Sequence, residues 1–99
     1  MTALSTSRGT RFDAFLSALA VLPSGYSQGD YFGERWGVTL ERSADGRRIK
    51  LFGEALGSSD HVSFNLYRVA GEPRLKPCEM PAEKVIDFVL GFRPEAQKR

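Results

Sequence analysis

Residues 36–55 of the chain, WGVTLERSADGRRIKLFGEA, alternate in polarity on both sides of one dipeptide, Asp45-Gly46. Asp-Gly tolerates the positive φ angles of a type I′ turn, so the spacing predicts a hairpin centred there. Pairing outward from that turn sets Leu40 opposite Leu51, Val38 opposite Gly53 and Trp36 opposite Ala55 on an apolar face. The other face receives Thr39 opposite Phe52, Glu41 opposite Lys50 and Ser43 opposite Arg48. A slip of one residue would invert both faces, so their agreement fixes the register.

The two-residue period extends from Tyr26 to Cys78. A shorter strand is expected at 27–32, with Gly33-Glu34 as the turn into the hairpin. After Gly57-Ser58-Ser59-Asp60, the run 62–69 alternates with Val62, Phe64 and Leu66 inward. Gly71-Glu72-Pro73 then turns the chain into a last strand at 74–78.

Helical spacing appears at both ends of this β region. Phe12, Phe15, Leu16, Leu19 and Leu22 predict a helix over 11–22, opened by Thr10 and Asp13 in the spacing of a capping box and stopped by Pro23, Ser24 and Gly25. A second helix is expected from Pro81 to Leu90, with Glu83 in its first turn, Val85, Phe88, Val89 and Phe92 as its core stripe and Gly91 as its stop. The expected fold is α+β: a helix, a four- or five-stranded antiparallel meander sheet and a C-terminal helix, with both helices on one sheet face. One domain over 10–92 is expected, with flexible tails at 1–9 and 93–99.

Composition narrows the function classes. With 99 residues, 41% hydrophobic and 26% charged, the chain has the make-up of one ordinary globular domain. Its single cysteine cannot form an internal disulfide, and the longest mainly apolar run, AFLSALAVL, is about half a membrane span. A cytoplasmic protein without membrane attachment is the expectation. Arginine outnumbers lysine 10 to 4, a bias associated with bacteria of GC-rich genomes. The net charge of +2 comes from the expected tails, where Arg8, Arg93, Lys98 and Arg99 face only Glu95, leaving 10 basic and 11 acidic residues over 10–92. Duplex binding dominated by phosphate contacts needs a larger positive excess.

Catalytic patterns are sparse. Cys78 lies just before the second helix, where unpaired N–H groups favour a thiolate and Lys76 can add to the effect; it is the one candidate reactive thiol. No base is tied to it, since the sole histidine, His61, sits in a distant loop with no motif linking it to Cys78. Asp60-His61 with Ser58 or Ser59 lacks a nucleophile elbow. One Cys and one His fall short of a zinc set, so no metal site and no cofactor are expected. Gly53, Gly57, Gly25 and Gly29 fit no phosphate-binding loop. No catalytic residue is nominated.

A physical argument for binding attaches to the sheet instead. Two amphipathic helices cover one face, leaving the other open or paired with a partner. In the inferred register that face carries Arg48, Lys50 and Phe52 on one strand, Asn65 and Tyr67 on the next, and Arg74 and Lys76 on the last. The expected activity is non-catalytic binding of protein, including a second copy of the chain as a homodimer. Aromatic rings among cations also suit single-stranded nucleic acid. Over residues 26–92 the order of strands closed by a helix resembles that of the Whirly and Pur-type single-strand-binding proteins, and the resemblance implies the same alternative. The helix at 11–22 and the near-neutral body depart from that pattern.

Overall fold

In the computed structural model, which describes residues 3–95, α1 (Ala3–Val21) is followed by β1 (Gly25–Tyr31), β2 (Glu34–Arg42), β3 (Arg48–Ala55), β4 (His61–Val69) and β5 (Glu72–Pro77). Then come α2 (Ala82–Gly91) and a two-residue strand, β6 (Arg93–Pro94). The strands form one antiparallel sheet in the order β5-β4-β3-β2-β1-β6. This is the expected α+β meander, with a short sixth strand added beyond residue 92.

The central register is the one the sequence dictates: Trp36 opposite Ala55, Val38 opposite Gly53 and Leu40 opposite Leu51. Those six, with Val62, Phe64 and Leu66, face the helices; all but Gly53 are core side chains. From α1, Phe15, Leu19 and Leu22 are buried, and from α2, Val85, Phe88 and Val89, followed by Phe92. Phe15 packs on Phe64 at 5.8 Å between ring centroids, and Phe88 lies 4.7 Å from Trp36, 4.9 Å from Tyr31 and 5.2 Å from Phe92. Each fully buried large side chain contributes about 1.5–3 kcal/mol of transfer free energy. The helices therefore hold to one face by a continuous aromatic and aliphatic layer.

Several local details differ from the sequence reading. α1 already runs through Thr10 and Asp13, so the capping-box spacing marks no helix start. The Asp45-Gly46 loop is not a type I′ turn: φ is positive at Gly46 alone (+74°), and Gly46 N–H donates to the Ser43 carbonyl at 3.0 Å. Asp45 acts through its side chain, accepting hydrogen bonds from Ser43 Oγ at 2.7 Å and Arg47 N–H at 2.9 Å. Such local side-chain bonds offer the backbone a wider loop without changing the register beyond it. The two-residue turns with paired positive φ are Phe32-Gly33 and Ala70-Gly71, each one residue earlier than expected. Glu41 and Lys50 are in register, but the pair lies beyond ion-pair distance. Gly91 remains helical, with the Tyr31 ring 2.9 Å from where its Cβ would stand, and α2 ends at Phe92.

Candidate functional site

The alternation that buries Trp36, Val38 and Leu40 turns their neighbours to the opposite face, which neither helix covers. Antiparallel pairing arranges that face in rows across the strands. One row runs Arg48, Tyr67, Arg74 over β3, β4 and β5; the next runs Glu41, Lys50, Asn65, Lys76 from β2 to β5. The third begins with Tyr26, Thr39, Phe52 and Ser63, and the Cys78 N–H extends it by donating to the Ser63 carbonyl at 3.0 Å. The fourth runs Gln28, Gly37, Glu54, His61. Arg48, Lys50, Phe52, Asn65, Tyr67, Arg74 and Lys76, nominated from the sequence, thus occupy adjoining positions of a single surface.

Electrostatically the face has two parts. On the β1–β2 side, Arg35 is fixed by Glu95 at 3.0 Å, Asp30 at 3.5 Å and Gln28 Oε1 at 3.1 Å, while Gln28 also donates to the Tyr26 hydroxyl at 3.1 Å. Glu95, by hydrogen bond and charge, holds the Arg35 guanidinium even more firmly protonated than usual. Tyr26 lies over Gly37, its hydroxyl where a Cβ at that position would stand. On the β3–β5 side the pattern reverses. Among the described residues, Arg48, Lys50, Arg74 and Lys76 make no ion pair within 4.0 Å. Four cations therefore surround Asn65 and Tyr67 with no ion-pair partner among the described residues.

Phe52 divides two shallow depressions and is 42% exposed. One, of about 240 Å³, is lined by Thr39, Glu41, Lys50 and Phe52. The other, of about 320 Å³, is lined by Phe52, Glu54, Ser58, Ser59, Asp60 and His61. Asp60 receives a hydrogen bond from Lys84 of α2 at 2.8 Å and one from His61 N–H at 2.8 Å, and Lys84 holds its carboxyl below the usual range.

Cys78 is exposed and belongs to the uncharged row. His61 is the first residue of β4 rather than part of a distant loop, and it shares the open face, diagonal to Cys78 across the strand pair. No hydrogen bond joins the two, so no thiol–imidazole pair is assembled. Among the described residues no cluster of three His, Cys, Asp or Glu side chains fits a metal ion. Nor is any described helix long and apolar enough to cross a membrane.

The sequence reading nominated none of Tyr26, Thr39, Ser63, Glu54 and His61 as site residues, although alternation already turned Thr39, Ser63 and Glu54 to this face. Their signal was present in the register itself, since Phe52 fixes Thr39 on one side and Ser63 on the other. Comparison with known proteins finds no matching family, no matching curated protein and no matching solved structure.

Proposed function

We propose that the chain is a non-catalytic, cytoplasmic binding module whose uncovered sheet face docks protein, its own copy included. The observation that carries the reading is that face itself: Tyr26 at 59% and Phe52 at 42% exposure stand in a row without charge, beside cations without ion-pair partners among the described residues.

The sheet edges argue for the same surface. Cys78 N–H points at β4, and alternation directs the N–H positions of 73, 75 and 77 outward. Two of these are Pro73 and Pro77, so only Leu75 offers an outward donor on the β5 edge. At the opposite edge β6 pairs with Gly29 and Asp30, and Glu95 N–H donates to the Gln28 carbonyl. Strand addition is disfavoured at both edges, which leaves the face.

Amine footprinting tests the proposal, because Lys50 and Lys76 lie on the open face and Lys84 on α2. Occupancy slows acetylation of Lys50 and Lys76 relative to Lys84 as protein concentration rises or host extract is added. Equal rates for all three under every condition would sink it.

A second reading, single-stranded nucleic acid on the same face, is favoured by the cation cluster around Tyr67. It requires oligonucleotide affinity that falls steeply with salt and is lost in Arg48→Ala/Lys50→Ala. A flat titration at low salt ends that alternative.

A further inference from the structure

The geometry points to a second copy of this chain as the occupant of the open face, seated about a two-fold axis that crosses the strands along the Phe52 row. The inference rests on reading that face as a docking surface, and it adds the partner and the arrangement. The row Tyr26, Thr39, Phe52, Ser63 crosses four strands and continues to Cys78, just past the end of β5, without a charge. On β3 the flanking positions on the same face are Lys50 on one side of Phe52 and Glu54 on the other.

A two-fold axis through Phe52, perpendicular to the strand, sets Phe52 on its own copy. It also carries position 50 onto position 54. Lys50 of each chain then meets Glu54 of the other, twice, because an isologous contact repeats every pair. The same operation lays Asn65 over His61 and Glu41 over Gly37, so none of these positions meets a like charge. Arg48 and Tyr67 fall toward the depression whose lining includes Glu54 and Asp60. The face is thus complementary to itself across that axis.

Size permits the contact. Five strands at ~4.8 Å spacing and eight residues at ~3.3 Å give a face of roughly 600 Å² per copy. Two copies bury roughly 1,200 Å², the lower bound for a specific stable interface. Two sheets stacked in this way form a sandwich whose strands cross at about 30° through their twist.

Charge exchange tests the arrangement by sedimentation, with the fluorescence of the sole tryptophan, Trp36, confirming that each variant is folded. The wild type is expected to dimerise, while K50E and E54K each weaken self-association by about tenfold or more, because like charges then meet across the axis. An equimolar mixture of K50E and E54K recovers a dimer, and so does K50E/E54K on its own. Cys78 alkylation, read in parallel, reports whether the face is covered. A wild-type dimer that protects Cys78 but ignores all three variants overturns the two-fold arrangement and leaves the face as the docking surface. A dimer with Cys78 fully reactive overturns the arrangement and places self-association elsewhere. A wild type that stays monomeric up to about 1 mM overturns the second copy as occupant, and the footprinting result then decides the docking reading alone.

Discussion

Arg42 donates from Nη2 to the main-chain oxygen of Leu22 at 2.9 Å, tying the end of β2 to the end of α1. The same nitrogen reaches the carbonyls of Leu19 at 3.1 Å and Ala20 at 3.3 Å. These oxygens belong to the helix C-terminus and the residue after it, where carbonyls lack intrahelical partners and the dipole is negative, and α1 has no basic residue in its own last turn. A strand residue therefore caps the helix. Arg42→Ala is expected to lower stability by about 1–3 kcal/mol in urea titrations followed through Trp36 fluorescence. Arg42→Lys should recover only part of this, because an ammonium cannot present the same planar fork. If both variants matched the wild type, the capping role would be refuted.

The two tight hairpins carry backbone strain at residues other than glycine. Phe32 has φ of +51° before Gly33, and Ala70 has φ of +54° before Gly71. A left-handed conformation costs about 1–2 kcal/mol for a residue with an ordinary Cβ, and asparagine tolerates it far better. Ala70→Asn is expected to stabilise by about 0.5–1 kcal/mol. Phe32→Asn should also stabilise, by less, because Phe32 is 88% exposed but its ring lies 4.6 Å from that of Tyr31 and that contact is lost. Urea midpoints settle the matter: a destabilised Ala70→Asn would mean the turn does not hold the positive φ.

These turns also show why some of the fold was legible and some was not. Strand register is encoded in side-chain alternation that two paired strands must satisfy together, so Trp36, Val38 and Leu40 identify their partners without knowledge of the loop. Turn type depends on one or two φ angles. Composition rules favoured Asp45-Gly46 over Phe32-Gly33, yet the Asp45 carboxylate braces a wider loop through Ser43 and Arg47. Helix α1 continues upstream of its apolar stripe, which begins at Phe12, so periodicity alone placed its start too late. The open face followed directly from the register. The Arg42 cap did not, because it joins residues about twenty apart through carbonyls that no side-chain pattern records.

Gly29 is constrained by close approach rather than by an unusual backbone angle. A Cβ there would overlap the Arg93 carbonyl and come within 2.8 Å of both the Phe92 ring and Pro94 Cα. Gly29→Ala is therefore expected to push β6 from β1 and disturb Phe92, costing about 1–3 kcal/mol. Hydrogen exchange localises the effect: the Glu95 amide, which donates to Gln28, should lose protection first. Unchanged protection at Glu95 would show that β6 does not depend on this contact.

Acid should weaken the fold through two carboxylates. Lys84 holds Asp60 below the usual range, and the Arg47 N–H followed by Ser43 Oγ does the same for Asp45. A depressed folded-state pKa contributes stability that is present above the unfolded value, about 3.9, and is lost as pH falls through the lower folded value. Wild-type stability should thus decline below about pH 4, with part of the fall traceable to each residue. Asp60→Asn is expected to be less stable than wild type at neutral pH, and the gap should close as pH falls toward about 2. Asp45→Asn should behave likewise, by a smaller amount, because Asp45 is exposed and its bonds compete with water. A gap between Asp60→Asn and wild type that stays constant from neutral to strongly acidic pH would show that the Lys84 contact contributes no differential proton affinity.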